Sequence, residues 1–150
     1  MATPRPVFSE LSADECIALL HRHNVGRLAI SHRDRIELVP IHYVYDDGWL
    51  YGRTAVGTKI ETVSHNRWVA FEVDEVRDVF DWASVVVKGG LYLLRKDGSA
   101  QEKATYEKGV SLVRQIVPEA LTPDDPIPER ALLFRIHVDE LTGRSASPGR

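Results

Sequence analysis

The sequence predicts a mainly β domain, an antiparallel sheet that closes into a small barrel with helices at its openings. Two observations carry this reading. Segments with the period of a strand follow one another through turns too short for parallel crossovers. Three serine- or threonine-led helix starts interrupt them, each with a glutamate three residues on. The tally is six or seven strands with two or three helices. With 150 residues the chain fits one domain, 1–150, with a core of its own.

Residues 1–10, with Pro4 and Pro6, read as an extended, loose lead-in. LSADECIALLHRHN is the first helix: Ser12 and Glu15 have capping-box spacing, Leu11 and Cys16 suit a hydrophobic staple, and Asn24 with Gly26 stops it. VGRLAIS is a strand and HRDR a turn. IELVPIHYVY is a strand rich in β-branched and aromatic residues, and DDG turns it back into WLYGRT. Pro40 cannot donate to a ladder, so it belongs at an edge or a bulge.

TKIETVSHN repeats the capping-box spacing with Thr58 and Glu61 and reads as a short helix. RWVAFEVDEV alternates, WASVVVKG is a more continuous apolar strand, and GLYLLRKDG follows it. SAQEKATYEKGVSLVRQIV is a longer helix led by Ser99 and Glu102. PEALTPDDPIPER is a loop, ALLFRIHVDEL a last strand, and TGRSASPGR a loosely held tail, loosest over 145–150.

Composition bounds the function. A net charge of −3 gives no electrostatic case for nucleic acid or an anionic membrane surface. The single cysteine, Cys16, excludes an internal disulfide, no apolar run approaches a membrane span, and MATPRPVFSE lacks the apolar centre of a signal peptide. A cytoplasmic protein is expected. The histidines form no metal-ligand pattern, and neither a catalytic triad nor a Walker or G-x-G-x-x-G motif occurs.

Three stretches are candidate sites. In RTAVGTK, Arg53, Thr54, Thr58 and Lys59 surround Gly57 at a predicted helix start, where unpaired N–H groups and the macrodipole favour an anion. The same residues also suit plain surface N-capping. In PIHYVYDDG, Pro40, His42 and Val44 share one face and Ile41, Tyr43 and Tyr45 the other, so one side of the strand can bear on a ligand. His42 fits either a structural or a proton-transfer role. In DWASVVVKGG, Trp82, Ser84, Val86 and Lys88 share a face that suits a planar ligand or an ordinary strand.

The ordered set VGRLA, PIHYVYDDGWLYGRTAVGTKIETVSHN, VAFEVDEV, WASVVVKG and FRIHVDELTGR resembles the pyridoxamine 5′-phosphate oxidase-like family, over roughly residues 10–144. It is most similar to the small bacterial branch that includes nitroimidazole-resistance proteins. The resemblance implies a six-stranded antiparallel split β-barrel of Greek-key type. It also implies a homodimer with FMN in clefts at the interface. Arg53, Thr54, Thr58 and Lys59 would hold the phosphate, Pro40, Ile41, His42 and Tyr43 would lie beside the ring, and Ser84 and Val85 would flank the cofactor.

The tail TGRSASPGR does not reproduce the C-terminal arginine and histidine set of true pyridoxamine-phosphate oxidases, so vitamin B6 oxidation is not implied. The function expected is an FMN-dependent oxidoreductase with a nicotinamide donor and a small organic substrate, His42 serving as a catalytic group. The alternatives are a flavin carrier or sensor without turnover, and a relative that binds F420 or haem on the same fold. The loops 97–105 and 118–130 are where specificity at the barrel mouth would reside.

Overall fold

The computed structural model describes residues 4–56, 60 and 68–149. In chain order the elements are β1 (Val7–Glu10), α1 (Ala13–Arg22), β2 (Val25–His32), β3 (Arg35–His42), β4 (Val44–Asp46), β5 (Trp49–Thr54), β6 (Trp68–Asp78), β7 (Asp81–Leu93), α2 (Ala100–Val113), β8 (Leu132–His137) and β9 (Glu140–Ser147). The helix expected over 58–66 lies, Ile60 apart, outside the described residues. No helix among the described residues is long and apolar enough to cross a membrane.

The strands hydrogen-bond in the order β3-β2-β6-β7-β8-β5-β4, with β9 beside β7 and β1 beside β9. Every pairing between them is antiparallel. Short turns make this possible. Arg33 and Asp34 (φ 52° and 62°) turn β2 into β3, and Asp47 and Gly48 (φ 42° and 84°) turn β4 into β5. Paired positive φ values match the right-handed twist of the flanking strands, which is why Asp-Gly serves here.

β7 bends the sheet into a barrel. Its residues Trp82–Lys88 pair with β9, whereas Leu91–Leu93 pair with β8. Gly89 and Gly90 lie at this change of partner. A Cβ on Gly89 would stand 1.7 Å from the His137 carbonyl oxygen, so only glycine lets the two backbones come together.

The barrel interior is filled by alternate residues: Leu28 and Ile30 from β2, Val69, Phe71 and Val73 from β6, Val85 and Val87 from β7, Phe134 and Ile136 from β8. Cys16, Leu19 and Leu20 of α1 close one end. The Ser12–Glu15 capping box is formed in both directions, as is Ser99–Glu102 at α2. α2 packs outside β5 and β8 through Leu112 and Val113.

The architecture is the antiparallel, helix-capped β class expected, but it has nine strands among the described residues. IELVPIHYVY divides at Tyr43 into β3 and β4, WASVVVKG and GLYLL fuse into β7, and the last predicted strand divides at Val138–Asp139. The lead-in and tail are corrected as well. Val7–Glu10 pairs with Arg144–Ser147, and β9 also pairs with β7. Ladder hydrogen bonds and the burial of Gly143 and Ala146 hold a segment whose small, polar side chains give little strand signal.

Candidate functional site

Among the described residues β3 pairs only with β2 and forms one edge of the sheet, with an unbroken register from Val25–His42 to His32–Arg35. Pro40 therefore sits on an edge strand and not at a bulge, where its missing N–H does least harm. Beyond that edge β5 runs close without pairing to it. A Cβ on Gly52 would lie 3.1 Å from the His42 carbonyl oxygen.

This seam opens into a cavity of about 600 Å³, a size ordinary for a small-molecule or cofactor site. Ile30, Val39 and Ile41 give it an apolar wall, with Pro40 at the β3 edge. Thr54 and Ala55 bring in the end of β5, and Glu129 and Arg130 the loop before β8. Arg53 and Glu37 complete its polar lining.

Arg53 is buried, with its side chain 7% exposed, and so is Asp125 at 2%. The guanidinium donates from Nη1 and Nη2 to the two carboxylate oxygens, the Nη2–Oδ1 bond being 3.0 Å. The same carboxylate accepts from the Leu121 N–H at 2.8 Å and the Ile127 N–H at 2.9 Å. The Arg53 bond first, then these backbone donors, hold the Asp125 carboxyl well below the usual carboxylate range against the opposing effect of burial. Asp125 thus fixes the loop, including Leu121 with its φ of 60°.

Arg130 is half-buried at the cavity, and its backbone oxygen accepts from Arg53 Nη1 at 3.4 Å. Among the described residues the Arg130 side chain makes no ion pair or hydrogen bond.

Of the residues singled out in the sequence, Pro40, Ile41, Arg53 and Thr54 meet at this cavity. His42 is exposed one residue beyond Ile41 and does not line it. Tyr43 is buried in the core, where its hydroxyl donates to the Leu20 carbonyl at 2.7 Å. Thr58 and Lys59 lie outside the described residues.

Ser84 and Val85 do not share the cavity. Val85 points into the core, fully buried. Ser84 lies on the outer face of the sheet and donates to Glu72 Oε2 at 2.8 Å. There, burial first and Asp74 beside it hold the Glu72 carboxyl above its ordinary value, against the bond from Ser84. Arg27 approaches both acids, at 3.4 Å from Asp74 and 3.8 Å from Glu72. An open groove of about 670 Å³ runs along this face past Trp82, Ser84 and Val86 to Thr142 and Arg144.

Sequence reasoning did not single out Asp125, Glu129 or Arg130. The signal lay in the acid- and proline-rich composition of 118–130, which marks a loop but not what it faces. The structure brings that loop to the cavity, whereas residues 97–105 lie elsewhere.

An antiparallel barrel with a cavity of about 600 Å³ at the seam between β3 and β5 defines the class. The family model for pyridoxamine 5′-phosphate oxidase matches residues 12–145, and the chain belongs to that family. A solved FAD-binding protein from Mesorhizobium loti is 31% identical and superimposes with a TM-score of 0.74 over 95% of this chain and 99% of that one. The FAD-binding protein from Mycobacterium smegmatis is 25% identical, with a TM-score of 0.62 over 92% of this chain and 97% of that one. An uncharacterised protein of Rhizobium meliloti (strain 1021) is 27% identical over 147 residues, 93% of this chain and 95% of that one.

Proposed function

We propose that the protein is a flavin-nucleotide-dependent oxidoreductase that binds FMN at the β3–β5 seam and works as a homodimer. The observation that carries this reading is the cavity, with an apolar wall of strand residues at one side and a polar lining of Thr54, Arg53 and Arg130 together with the carboxylates of Glu37 and Glu129 at the other. That division suits a ligand with a flat apolar ring and an anionic tail. β3 is also an edge strand among the described residues, and such an edge presents backbone N–H and C=O groups that suit the polar edge of a ring. When bound, the flavin would supply two-electron chemistry between a nicotinamide donor and a small organic acceptor.

The chain's own part is position and exclusion. Ile30, Val39 and Ile41 keep water from one side of the ring, and Thr54 and the arginine side of the cavity hold the tail. His42, exposed just beyond Ile41, is the group that orients or protonates an acceptor arriving from outside. A second subunit has a definite role here. Ser84 and Trp82 lie on the outer face, away from the cavity of their own chain. A dimer formed through this face would bring them to the partner's cleft. Ile36, Leu38, Trp68 and Val76, exposed to 79%, 67%, 52% and 68%, supply apolar area for such an interface.

The purified protein is expected to show a flavin spectrum that bleaches on anaerobic titration with NADPH and returns when an acceptor is added. A bound flavin that NADPH never reduces would favour a carrier or sensor. The Mesorhizobium and Mycobacterium relatives are named for FAD, which makes FAD the rival nucleotide. Chromatography of the released cofactor separates the two. A stable monomer with full flavin affinity, seen by light scattering, would remove the interface from the site.

A further inference from the structure

We propose that Arg130 is the arginine of this cavity that takes the ligand's phosphate, and that Arg53 and Asp125 are positioning residues that hold it there. The proposal rests on the flavin reading above and changes which residue does the work. Arg53 was the natural candidate from the sequence, because it precedes a helix start and its fork matches two phosphate oxygens. In the fold that fork is already taken. Both terminal nitrogens face Asp125, and the pair is almost fully withdrawn from water. A phosphate would have to displace a carboxylate that two backbone N–H groups also hold. The charge Arg53 offers the cavity is cancelled at its source.

Arg130 has the opposite circumstances. It lines the same cavity, half-buried, with no acidic partner among the described residues. An arginine partly withdrawn from water without a counter-ion favours an anion more than a fully solvated one does. Its place is set from two sides. Its backbone N–H donates to the Ile127 carbonyl at 3.1 Å, and its carbonyl accepts from Arg53. Ile127 is in turn fixed by Asp125. Two residues later β8 begins, with Leu132 opposite Thr54. Arg130 and Thr54 therefore stand on neighbouring strand ends at one rim of the cavity, a cation beside a hydroxyl. The ligand class this suits is a phosphate-bearing planar molecule, its phosphate at the rim and its ring along β3.

The test compares FMN with riboflavin, which share a ring and differ by the phosphate. Affinities are measured by fluorescence quenching for the wild type, Arg130→Ala, Arg130→Lys and Asp125→Asn, each first checked for folding by circular dichroism. Arg130→Ala is expected to lose roughly ten- to hundredfold in FMN affinity, as for a charge-assisted bond, with riboflavin little changed. Arg130→Lys should recover part of the preference, and added salt should erode it in the wild type but not in Arg130→Ala. Asp125→Asn should lower the preference by a smaller factor, through a less well held Arg130.

Equal losses for both ligands, or none, in Arg130→Ala would overturn the assignment while leaving flavin binding intact. A preference for FMN that rises in Asp125→Asn would show Arg53 to be the phosphate ligand and overturn it too. A wild type that binds neither ligand would overturn both this assignment and the flavin reading.

Discussion

The Arg53 guanidinium and the Asp125 carboxylate, 72 residues apart in the chain, form a buried two-bond ion pair that ties the end of β5 to the loop before β8. Removing one partner of such a pair strands the other away from water, which costs about 3–5 kcal/mol. Arg53→Met is therefore expected to lower the urea midpoint strongly. Arg53→Met with Asp125→Leu should regain only part of the loss, since an apolar pair avoids the stranded charge but leaves the Leu121 and Ile127 N–H groups without their acceptor. Asp125 titrates below its unfolded value in the fold. Its contribution is therefore complete at neutral pH and declines as pH falls past about 3.9, the unfolded aspartate value. Stability of the wild type measured at pH 7 and pH 3 should differ by more than that of the double variant.

Glu75 joins α1 to β6. Its Oε1 accepts from Arg22 Nε at 2.8 Å and from the His23 ring at 2.7 Å. The Arg22 bond first, then that from His23, depress its carboxyl to about 2. A depressed carboxyl stabilises above its unfolded pKa of about 4.3 and loses that contribution as pH falls toward the folded value. Glu75→Gln should cost roughly 1 kcal/mol at pH 7, discounted for an Arg22 side chain that is 53% exposed. The difference from wild type should shrink in 0.5 M salt and vanish near pH 2. A gap that is independent of pH would point to packing instead of charge.

What the sequence made legible here is what depends on residues close together in the chain. The capping boxes at Ser12 and Ser99, the Asp-Gly turn and the edge position of Pro40 all follow from local chemistry, and all are formed. The alternation that places Trp82, Ser84 and Val86 on one face of β7 is formed as well. Two things were not legible. The tail strand β9 is built from small and polar residues whose only reason to be ordered is the ladder on either side. The Arg53–Asp125 pair depends on two segments that meet only when the barrel closes, so nothing local to either residue announces it.

Tyr43 separates a core role from a cofactor role. Its hydroxyl is buried and bonded to the Leu20 carbonyl at 2.7 Å, and burial pushes the phenol up from its ordinary value. Tyr43→Phe leaves that carbonyl, at the top of the barrel, without its donor. The expected loss is about 1–3 kcal/mol in chemical denaturation, with flavin affinity changed less than about twofold. A large fall in affinity at unchanged stability would instead put Tyr43 beside the ligand.

Gly89 tests the corner on which the barrel depends. A methyl group there would stand 1.7 Å from the His137 oxygen and 2.9 Å from its carbonyl carbon, both backbone atoms that no side-chain rotation can move aside. Gly89→Ala must therefore push β7 away from the end of β8, and a loss above about 4 kcal/mol is expected, enough to leave the chain largely unfolded or insoluble. Gly48 provides the control, because a Cβ there meets nothing within 4 Å and suffers only from a φ of 84°. Gly48→Ala should cost about 1 kcal/mol. Comparable urea midpoints for the two variants would mean that the backbones do not close at Gly89 and that β7 turns from β9 to β8 at some other point.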